Sequence, residues 1–227
     1  MRSSRLPRGR KAGCLPRKSK PGEWCPLASE KIEIVPREDW EKFKDTNVKP
    51  FIKQVLNQGS NGSCATESTT QATMICRAEQ GLPFVLLNPL FIYNTTSGGR
   101  DNGSSIDENL QFAREHGIAP ESVWPRSKGF KARPSDEAVK EALKYRIEEF
   151  YDIQTIEEFV SCLLKGFPVV WGANGHSVCK VVHLNDKEGV DVNSWGTDWG
   201  TDGFGVWAPY RQINWQYGAW AVRSVVR

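Results

Sequence analysis

The chain changes from helix-forming to strand-forming sequence at one point, Gly166. Before this residue, apolar side chains recur at helical spacing in the segments 64–79, 105–116, 135–146 and 155–165. After it, short runs rich in valine and aromatic residues alternate with turn residues, as strands do, and they cover 167–172, 176–183, 189–194, 204–207 and 219–226. Helices first and strands second predict an α+β fold, with a helical lobe facing a twisted sheet or barrel.

One loop brings a cysteine to the start of the longest predicted helix. The segment Gln58 to Ser63 is polar and contains two glycines, and Cys64 follows it directly. Unpaired backbone N–H groups and the helix dipole at such a position favour a thiolate, and can lower a cysteine pKa from about 8.5 to roughly 3.5–7.5. Cys64 is therefore a candidate nucleophile, provided that the chain supplies a base and an oxyanion donor.

Only three histidines are available as the base. His116 ends an amphipathic helix, where exposure or helix capping is the simpler interpretation. His183 closes a strand beside a polar turn and is interpreted as a surface residue. His176 opens an apolar strand after a glycine-rich turn, which predicts a position at the mouth of a cleft. A lone histidine is more often structural than catalytic, so His176 needs support from other segments.

Several motifs supply that support because they occur together and in a fixed order. They are Gln58-Gly59-Ser60-x-Gly62-Ser63-Cys64, Gly175-His176-Ser177-Val178 and Asn193-Ser194-Trp195-Gly196-Thr197-x-Trp199-Gly200-x-x-Gly203-Phe204, with Asn102-Gly103-Ser104-Ser105-Ile106 between the first two. In this order they resemble the papain family of cysteine peptidases over about residues 34 to 226. The resemblance implies the papain-like two-lobed fold, with a helical N-terminal lobe, an antiparallel β-barrel-like C-terminal lobe and the active-site cleft between them.

The same resemblance implies roles for four residues. Cys64 attacks the scissile carbonyl, and His176 holds its proton and later protonates the leaving amine. Asn193 orients the imidazole, and Gln58 donates its side-chain amide to the oxyanion together with the Cys64 backbone N–H. The predicted function is a cysteine endopeptidase that hydrolyses peptide bonds in extended polypeptides.

Four further residues are assigned to the substrate cleft by resemblance. Gly103 and Ser104 offer backbone groups to an extended peptide, as an added strand does. Gly62 belongs to the nucleophile loop, and Trp195 covers the hydrogen bond between histidine and asparagine from water.

The chain also departs from the family pattern. Asn61 replaces the cysteine that forms a disulfide near the site, Ala65 replaces the tryptophan after the nucleophile, and Ser104 replaces the second cleft glycine. Glu67 stands where a large apolar residue is usual, which leaves the packing of the helix open.

The N-terminal region differs from the rest in charge. Residues 1–20 contain eight Lys or Arg and no acid, while the chain as a whole carries +3. We interpret 1–30 as a basic, disordered tail and linker, and 31–227 as one peptidase domain with a helical lobe at about 50–150 and a β lobe formed by about 151–227 and 31–49. The tail is either solvated or an arm for an anionic partner such as nucleic acid, reached through residues 2–20. It is too short for the family's helical inhibitory propeptide.

Other features define the remaining expectations. No apolar run approaches the length of a membrane span and no signal peptide is recognisable, so we expect an intracellular protein with free thiols. The sequence has no metal-ligand cluster or phosphate loop, and we expect no cofactor. Oligomeric state stays open. Two alternatives also remain: a catalytically silent binding protein that uses its basic arm, and an isopeptidase or amide transferase with the same residues.

Overall fold

The computed structural model describes residues 6–43 and 46–227. Its α-helices are α1 (Ala28–Lys31), α2 (Cys64–Glu79), α3 (Pro89–Thr96), α4 (Ile106–Glu115), α5 (Asp136–Ala142) and α6 (Ile156–Leu164). Its strands are β1 (Cys14–Leu15), β2 (Ser104–Ser105), β3 (Ile147–Ile153), β4 (Val169–Ala173), β5 (His176–His183), β6 (Gly189–Val192), β7 (Phe204–Gly205) and β8 (Ala219–Val225). None of the helices within these ranges combines the length and the apolar character needed to cross a bilayer.

Local sequence signals explain where several helices begin and end. Thr155 accepts a hydrogen bond from the backbone N–H of Glu158 and so caps the start of α6. Ser135 caps α5 in the same way. Gly166, with φ of +83°, provides the left-handed residue that ends α6. One element does not follow the predicted segregation, since β3 lies before α6 and joins the sheet of the second half.

A six-stranded antiparallel sheet forms the second half of the molecule. Its strand order is β3-β8-β4-β5-β6-β7, so the early strand β3 pairs with the last strand, β8. This confirms the α+β prediction. The expected barrel does not close: among the described residues the two edge strands, β3 and β7, do not pair with each other, and the sheet is open.

Helices cover both faces of this sheet. Alternate residues of the central strands point to opposite sides, so Val170 packs in the same apolar cluster as α2, while Trp171 packs in the cluster that contains α6. A third cluster joins α3 and α5 around Trp124 in the helical half. Cys64, the first residue of α2, belongs to the apolar cluster that α2 shares with the sheet.

A buried ion pair fixes the β5–β6 hairpin that carries the site. Lys180 Nζ lies 2.8 Å from Asp191 Oδ2, and both side chains are fully buried. Asp191 also accepts hydrogen bonds from the Trp171 indole N–H and the backbone N–H of Trp207. Such a pair can be buried because hydrogen bonds within the protein replace the hydrogen bonds to water that each charged group loses. The pair holds β5 and β6 in register just before the chain continues to Asn193.

Residues of the N-terminal region contact the domain from Arg10 onward, while the predicted division into a tail of residues 1–30 and a domain of 31–227 stays a prediction. Arg17 forms a bidentate ion pair with Asp152, which is buried, and its guanidinium lies over the Trp220 ring. Backbone groups of Lys18 and Ser19 also donate to one carboxylate, Asp107. These buried acids lie far along the chain, so the sequence pattern of the tail gave no sign of them. Residues 1–5 lie outside the described residues, and the division into lobes stays a prediction.

Candidate active site

Cys64 is the first residue of α2 and is fully buried. Three backbone N–H groups hydrogen-bond to its sulfur, those of Ser177, Gly13 and Ala65. These donors favour a thiolate, but burial outweighs them and raises the pKa of Cys64 to about 11. The thiol is therefore protonated at neutral pH in this conformation.

His176 is brought to Cys64 by the β4–β5 hairpin. Asn174 and Gly175 form its tight turn with φ values of +54° and +72°, and His176 is the first residue of β5. The next residue, Ser177, shares a hydrogen bond of 2.7 Å with the hydroxyl of Ser68, one turn along α2 from Cys64. This contact holds the start of β5 against the start of α2.

Asn193 and Trp195 orient the imidazole. Asn193 Oδ1 lies 2.8 Å from His176 Nε2 and also accepts the backbone N–H of Ser194. Two donors to one oxygen identify it as the acceptor, so Nε2 carries the ring proton. The indole of Trp195 stacks on the imidazole at 4.5 Å between centroids. His176 Nδ1 is buried and has no hydrogen-bond partner among the described residues, which leaves its lone pair available.

Burial also determines the charge of the histidine. It lowers the pKa of His176 to about 4, and the hydrogen bond to Asn193 opposes this shift only in part. Between about pH 4 and pH 11 the conformation described here therefore holds a neutral thiol and a neutral imidazole.

Gln58 is held so that its amide nitrogen faces the cleft. Its Oε1 accepts hydrogen bonds from Ser194 Oγ at 2.7 Å and from the Trp195 indole N–H at 3.1 Å. The amide N–H groups then donate to the backbone oxygens of Asn61 and Lys11, at 2.7 and 3.0 Å. Gln58 is thus linked to the two residues that follow Asn193.

The cleft is occupied by residues 10–19 of the same chain, which we call the N-terminal strap. Its Gly13 carbonyl accepts the backbone N–H of Ser104 at 2.9 Å, and β1 pairs in parallel with β2. A Cβ on Gly13 would lie 1.8 Å from the Gly62 carbonyl oxygen, and one on Gly103 would lie 2.3 Å from the Gly13 oxygen. The close contact requires glycine at Gly13 and Gly103, because any side chain there would collide with backbone.

The predicted substrate-binding residues therefore lie together, and all three backbone positions contact the strap. Gly62 and Gly103 face Gly13 from two sides, while Ser104 pairs with it. Trp195 instead offers its carbonyl oxygen to the guanidinium of Arg10. The strap thus runs past the predicted site from Trp195 to Ser104.

The other two histidines lie away from the cleft. His116 is exposed, as expected. The interpretation of His183 as a surface residue is wrong: it is buried, and its Nδ1 lies 2.9 Å from the Tyr210 hydroxyl. Within the described ranges no group of three His, Cys, Asp or Glu side chains is arranged to hold a metal ion.

Two further polar groups near the site escaped the sequence interpretation. Asp101 accepts the backbone N–H of Gly62 at 2.7 Å and so tethers the nucleophile loop where the family has a disulfide. Glu67, whose packing was open, is buried and receives two hydrogen bonds from Arg126. Asp101 could have been identified from the sequence because it directly precedes the Asn102-Gly103 motif. No sequence pattern indicated Arg126.

Comparisons with known proteins show which proteins this chain resembles. No family model matches the chain. An uncharacterized peptidase C1-like protein of Acanthamoeba polyphaga mimivirus is 26% identical over 208 residues, which cover 72% of this chain and 67% of that protein.

Solved structures of cysteine proteases share the fold. Xylellain, a cysteine protease from Xylella fastidiosa, superimposes with a TM-score of 0.71 at 23% identity, over 98% of this chain and 99% of that one. The digestive procathepsin L 3 of Tenebrio molitor gives 0.66 at 16% identity, over 96% and 76%. The ragweed pollen protease Amb a 11, in its proform, gives 0.65 at 19% identity, over 92% and 70%. The papain-like resemblance read from the sequence motifs is confirmed.

Proposed function

We propose that this chain, which has the papain-like fold, is a cysteine endopeptidase that uses Cys64, His176, Asn193 and Gln58. The observation that carries the proposal is the state of His176. Asn193 holds Nε2 in its protonated form, while Nδ1 has no hydrogen-bond partner in residues 6–43 and 46–227, and the backbone N–H of the next residue on the strand contacts the Cys64 sulfur. That arrangement suits a base for the thiol.

In the proposed reaction, Cys64 Sγ transfers its proton to His176 Nδ1 and attacks a peptide carbonyl carbon. The carbonyl oxygen becomes an oxyanion, which Gln58 Nε2 and the Cys64 backbone N–H stabilise by donating hydrogen bonds. His176 then protonates the departing amine as the C–N bond breaks, leaving a thioester on Cys64. Water, deprotonated by His176, hydrolyses the thioester and restores the thiol.

The strap makes the described conformation a latent one. It contacts both Gln58 and Cys64, so a substrate carbonyl cannot reach either without displacing it. Its removal also exposes the site to water, which reduces the burial that raises the pKa of Cys64 and lowers that of His176. We therefore propose that activity requires release of the strap.

Active-site labelling tests the proposal. Gly13→Ala places a methyl group against the Gly62 carbonyl and expels the strap, whereas Leu15→Ala, at an exposed strap position, is the matched control. An epoxysuccinyl thiol reagent is expected to label Cys64 at least about tenfold faster in Gly13→Ala, because a thiolate reacts and a buried thiol does not. Mass spectrometry locates the adduct.

Cleavage of denatured protein by Gly13→Ala, and its loss in Gly13→Ala/Cys64→Ala, completes the test. If Cys64 stays unlabelled in the strap-free variant while another cysteine reacts, the assignment fails. Product analysis with added amines separates hydrolysis from amide transfer. Polypeptides are the proposed substrates, while a nucleic-acid partner for residues 2–20 and an intracellular location stay predictions.

A further inference from the structure

The loop of residues 57–63 is closed at its base by a buried ion pair. Glu67, in the first turn of α2, is fully buried, and its two carboxylate oxygens receive hydrogen bonds from Arg126 at 2.9 and 3.0 Å. Arg126 Nη1, one of these two donors, also donates to the backbone carbonyl of Asn57 at 2.7 Å. Glu67 Oε1 accepts the hydroxyl of Ser63 at 3.2 Å as well. The ion pair therefore joins the first residue of the loop to the last.

The Asn57 carbonyl belongs to the peptide group that leads into Gln58. The N–H of the same peptide group donates to the Ser194 carbonyl at 2.8 Å, so both of its polar atoms are held. One partner follows Asn193 in the chain, and the other is tied to α2 through Glu67. Because the peptide group is planar and rigid, fixing both of its polar atoms also fixes the Cα of Gln58.

The two proposed oxyanion donors come from opposite ends of this loop. One is the side-chain amide of Gln58, and the other is the backbone N–H of Cys64, whose position is set by α2. An oxyanion requires its donors at about 2.7–3.1 Å, so the separation of the two loop ends determines whether one oxygen meets both. A change in how the loop closes would move one donor relative to the other.

The charges of the pair suit a permanent contact. Burial alone would lower the pKa of Arg126, but the Glu67 carboxylate outweighs burial and raises it, so the guanidinium stays charged throughout the neutral range. A buried acid in α2 costs free energy unless the fold supplies a cation. The cation that compensates Glu67 is the same group that holds the loop.

We infer that Glu67 and Arg126 are positioning residues that set the distance between the Gln58 and Cys64 donors of the oxyanion hole. The inference rests on the proposed function, in which these two donors stabilise the oxyanion. Arg126 acts through the peptide group that leads into Gln58, and Glu67 acts by holding Arg126. Loss of the contact moves the Gln58 amide without removing it, so the rate should fall less than in Gln58→Ala.

Kinetics of the strap-free protein test the inference. In Gly13→Ala, Arg126→Met is expected to lower kcat by about 10- to 100-fold, because a displacement of roughly 1 Å at a catalytic group can have that effect. Alkylation of Cys64 by iodoacetamide, which forms no oxyanion, should change far less. Dividing the rate by the amount of Cys64 that an epoxysuccinyl reagent labels corrects for unfolded protein. Arg133→Met, at an exposed arginine, is the control and should leave both rates unchanged.

A double-mutant cycle with Gln58 separates positioning from a general structural role. Once Gln58→Ala has removed the amide, Arg126→Met should lower kcat by less than about twofold, since the donor that it positions is gone. The Cys64 N–H should stay in place, because α2 keeps its own first hydrogen bond, from the Glu67 N–H to the Ser63 carbonyl at 2.9 Å. Equal losses of kcat in both backgrounds overturn the inference.

A neutral version of the pair separates positioning from stability. Glu67→Gln/Arg126→Met leaves no unpaired buried carboxylate, so it should be more stable to urea than Arg126→Met alone. It still lacks the hydrogen bond to Asn57, and we therefore expect kcat to stay as low as in Arg126→Met. Recovery of kcat together with stability would show that the pair acts only on folding, which overturns the inference.

Side-chain NMR gives a readout that requires no catalysis. In Gly13→Ala, the ¹H–¹⁵N NOE of the Gln58 side-chain amide should fall on adding Glu67→Gln/Arg126→Met, because its peptide group loses one of two hydrogen bonds. The side-chain amide of Gln80, which donates to the Val225 carbonyl at 3.0 Å, is the matched control and should keep its value. An unchanged Gln58 value overturns the inference, whether or not the protein cleaves peptides. A fall at Gln58 without any cleavage or Cys64 labelling refutes the proposed function and supports the positioning of Gln58 by the pair.

Discussion

Gln58 donates its side-chain amide to the backbone carbonyl of Lys11 at 3.0 Å, across 47 residues of sequence. The amide nitrogen is available because Ser194 and Trp195 hold the other end of the side chain. The protein's own N-terminal strap thus occupies the donor that a substrate carbonyl would use. One hydrogen bond therefore links the proposed oxyanion donor with the strap that keeps the site latent.

Loss of the Gln58 amide should impair catalysis more than thiol reactivity. In a Gly13→Ala background, Gln58→Ala is expected to lower kcat by about 10²–10³, the usual effect of removing one oxyanion donor. Alkylation of Cys64 by iodoacetamide, which forms no oxyanion, should change far less. Gln54→Ala, at an exposed glutamine nearby, is the control. Equal losses in hydrolysis and alkylation would contradict the oxyanion role.

The pH dependence of Cys64 alkylation should reveal whether the strap is docked. With the strap in place, burial raises the pKa of Cys64 to about 11, so the rate in the parent protein should still be rising at pH 10. In Gly13→Ala the midpoint should move to a lower pH, because the thiol gains contact with water while it keeps its position at the helix N-terminus. Rate constants between pH 5 and 10 measure the shift. Superimposable profiles would show that the strap does not control the thiol.

Acid should release the strap. The folded-state pKa of Asp101 lies below its unfolded value, so the carboxylate contributes to docking above about pH 4, and that contribution is lost as the pH falls through the lower folded value. Hydrogen exchange of the strap amides, corrected for intrinsic rates, should therefore accelerate only below about pH 4. Circular dichroism checks that the fold persists. Constant protection down to pH 3 in a folded protein would argue against this.

The buried pair of Glu67 and Arg126 should matter for stability. Burial raises the pKa of Glu67, and the attraction of Arg126 opposes that shift. Arg126→Met removes the cation and leaves a buried carboxylate, so we expect a loss of about 3–5 kcal/mol in the free energy of unfolding by urea. Adding Glu67→Gln should recover part of it. Arg133→Met, at an exposed arginine, should change stability little, and a similarly small loss at Arg126 would refute the role of the pair.

Local chemistry made part of this protein predictable. The helix from Cys64 to Glu79 and the strand from His176 to His183 were predicted with their observed bounds, since periodicity, glycines and valine-rich runs act over a few residues. The segment β3 was not predicted as a strand. It forms by pairing with β8, which is distant in the sequence, and the strand propensity of the seven residues of β3 alone does not predict such a pairing.

The order of short motifs in the sequence by itself determined the papain-like fold and the identity of the four proposed catalytic residues. Only the tertiary structure decided what lies in the cleft. From the sequence, the basic N-terminal residues are either a solvated tail or an arm for an anionic partner, because charge without apolar periodicity usually stays in water. In the structure, strap residues of this region bind two buried carboxylates, Asp107 and Asp152, and these contacts compensate each carboxylate for its burial. These carboxylates lie about 90 to 135 residues from the strap groups that they bind, so no local sequence pattern could predict the contacts.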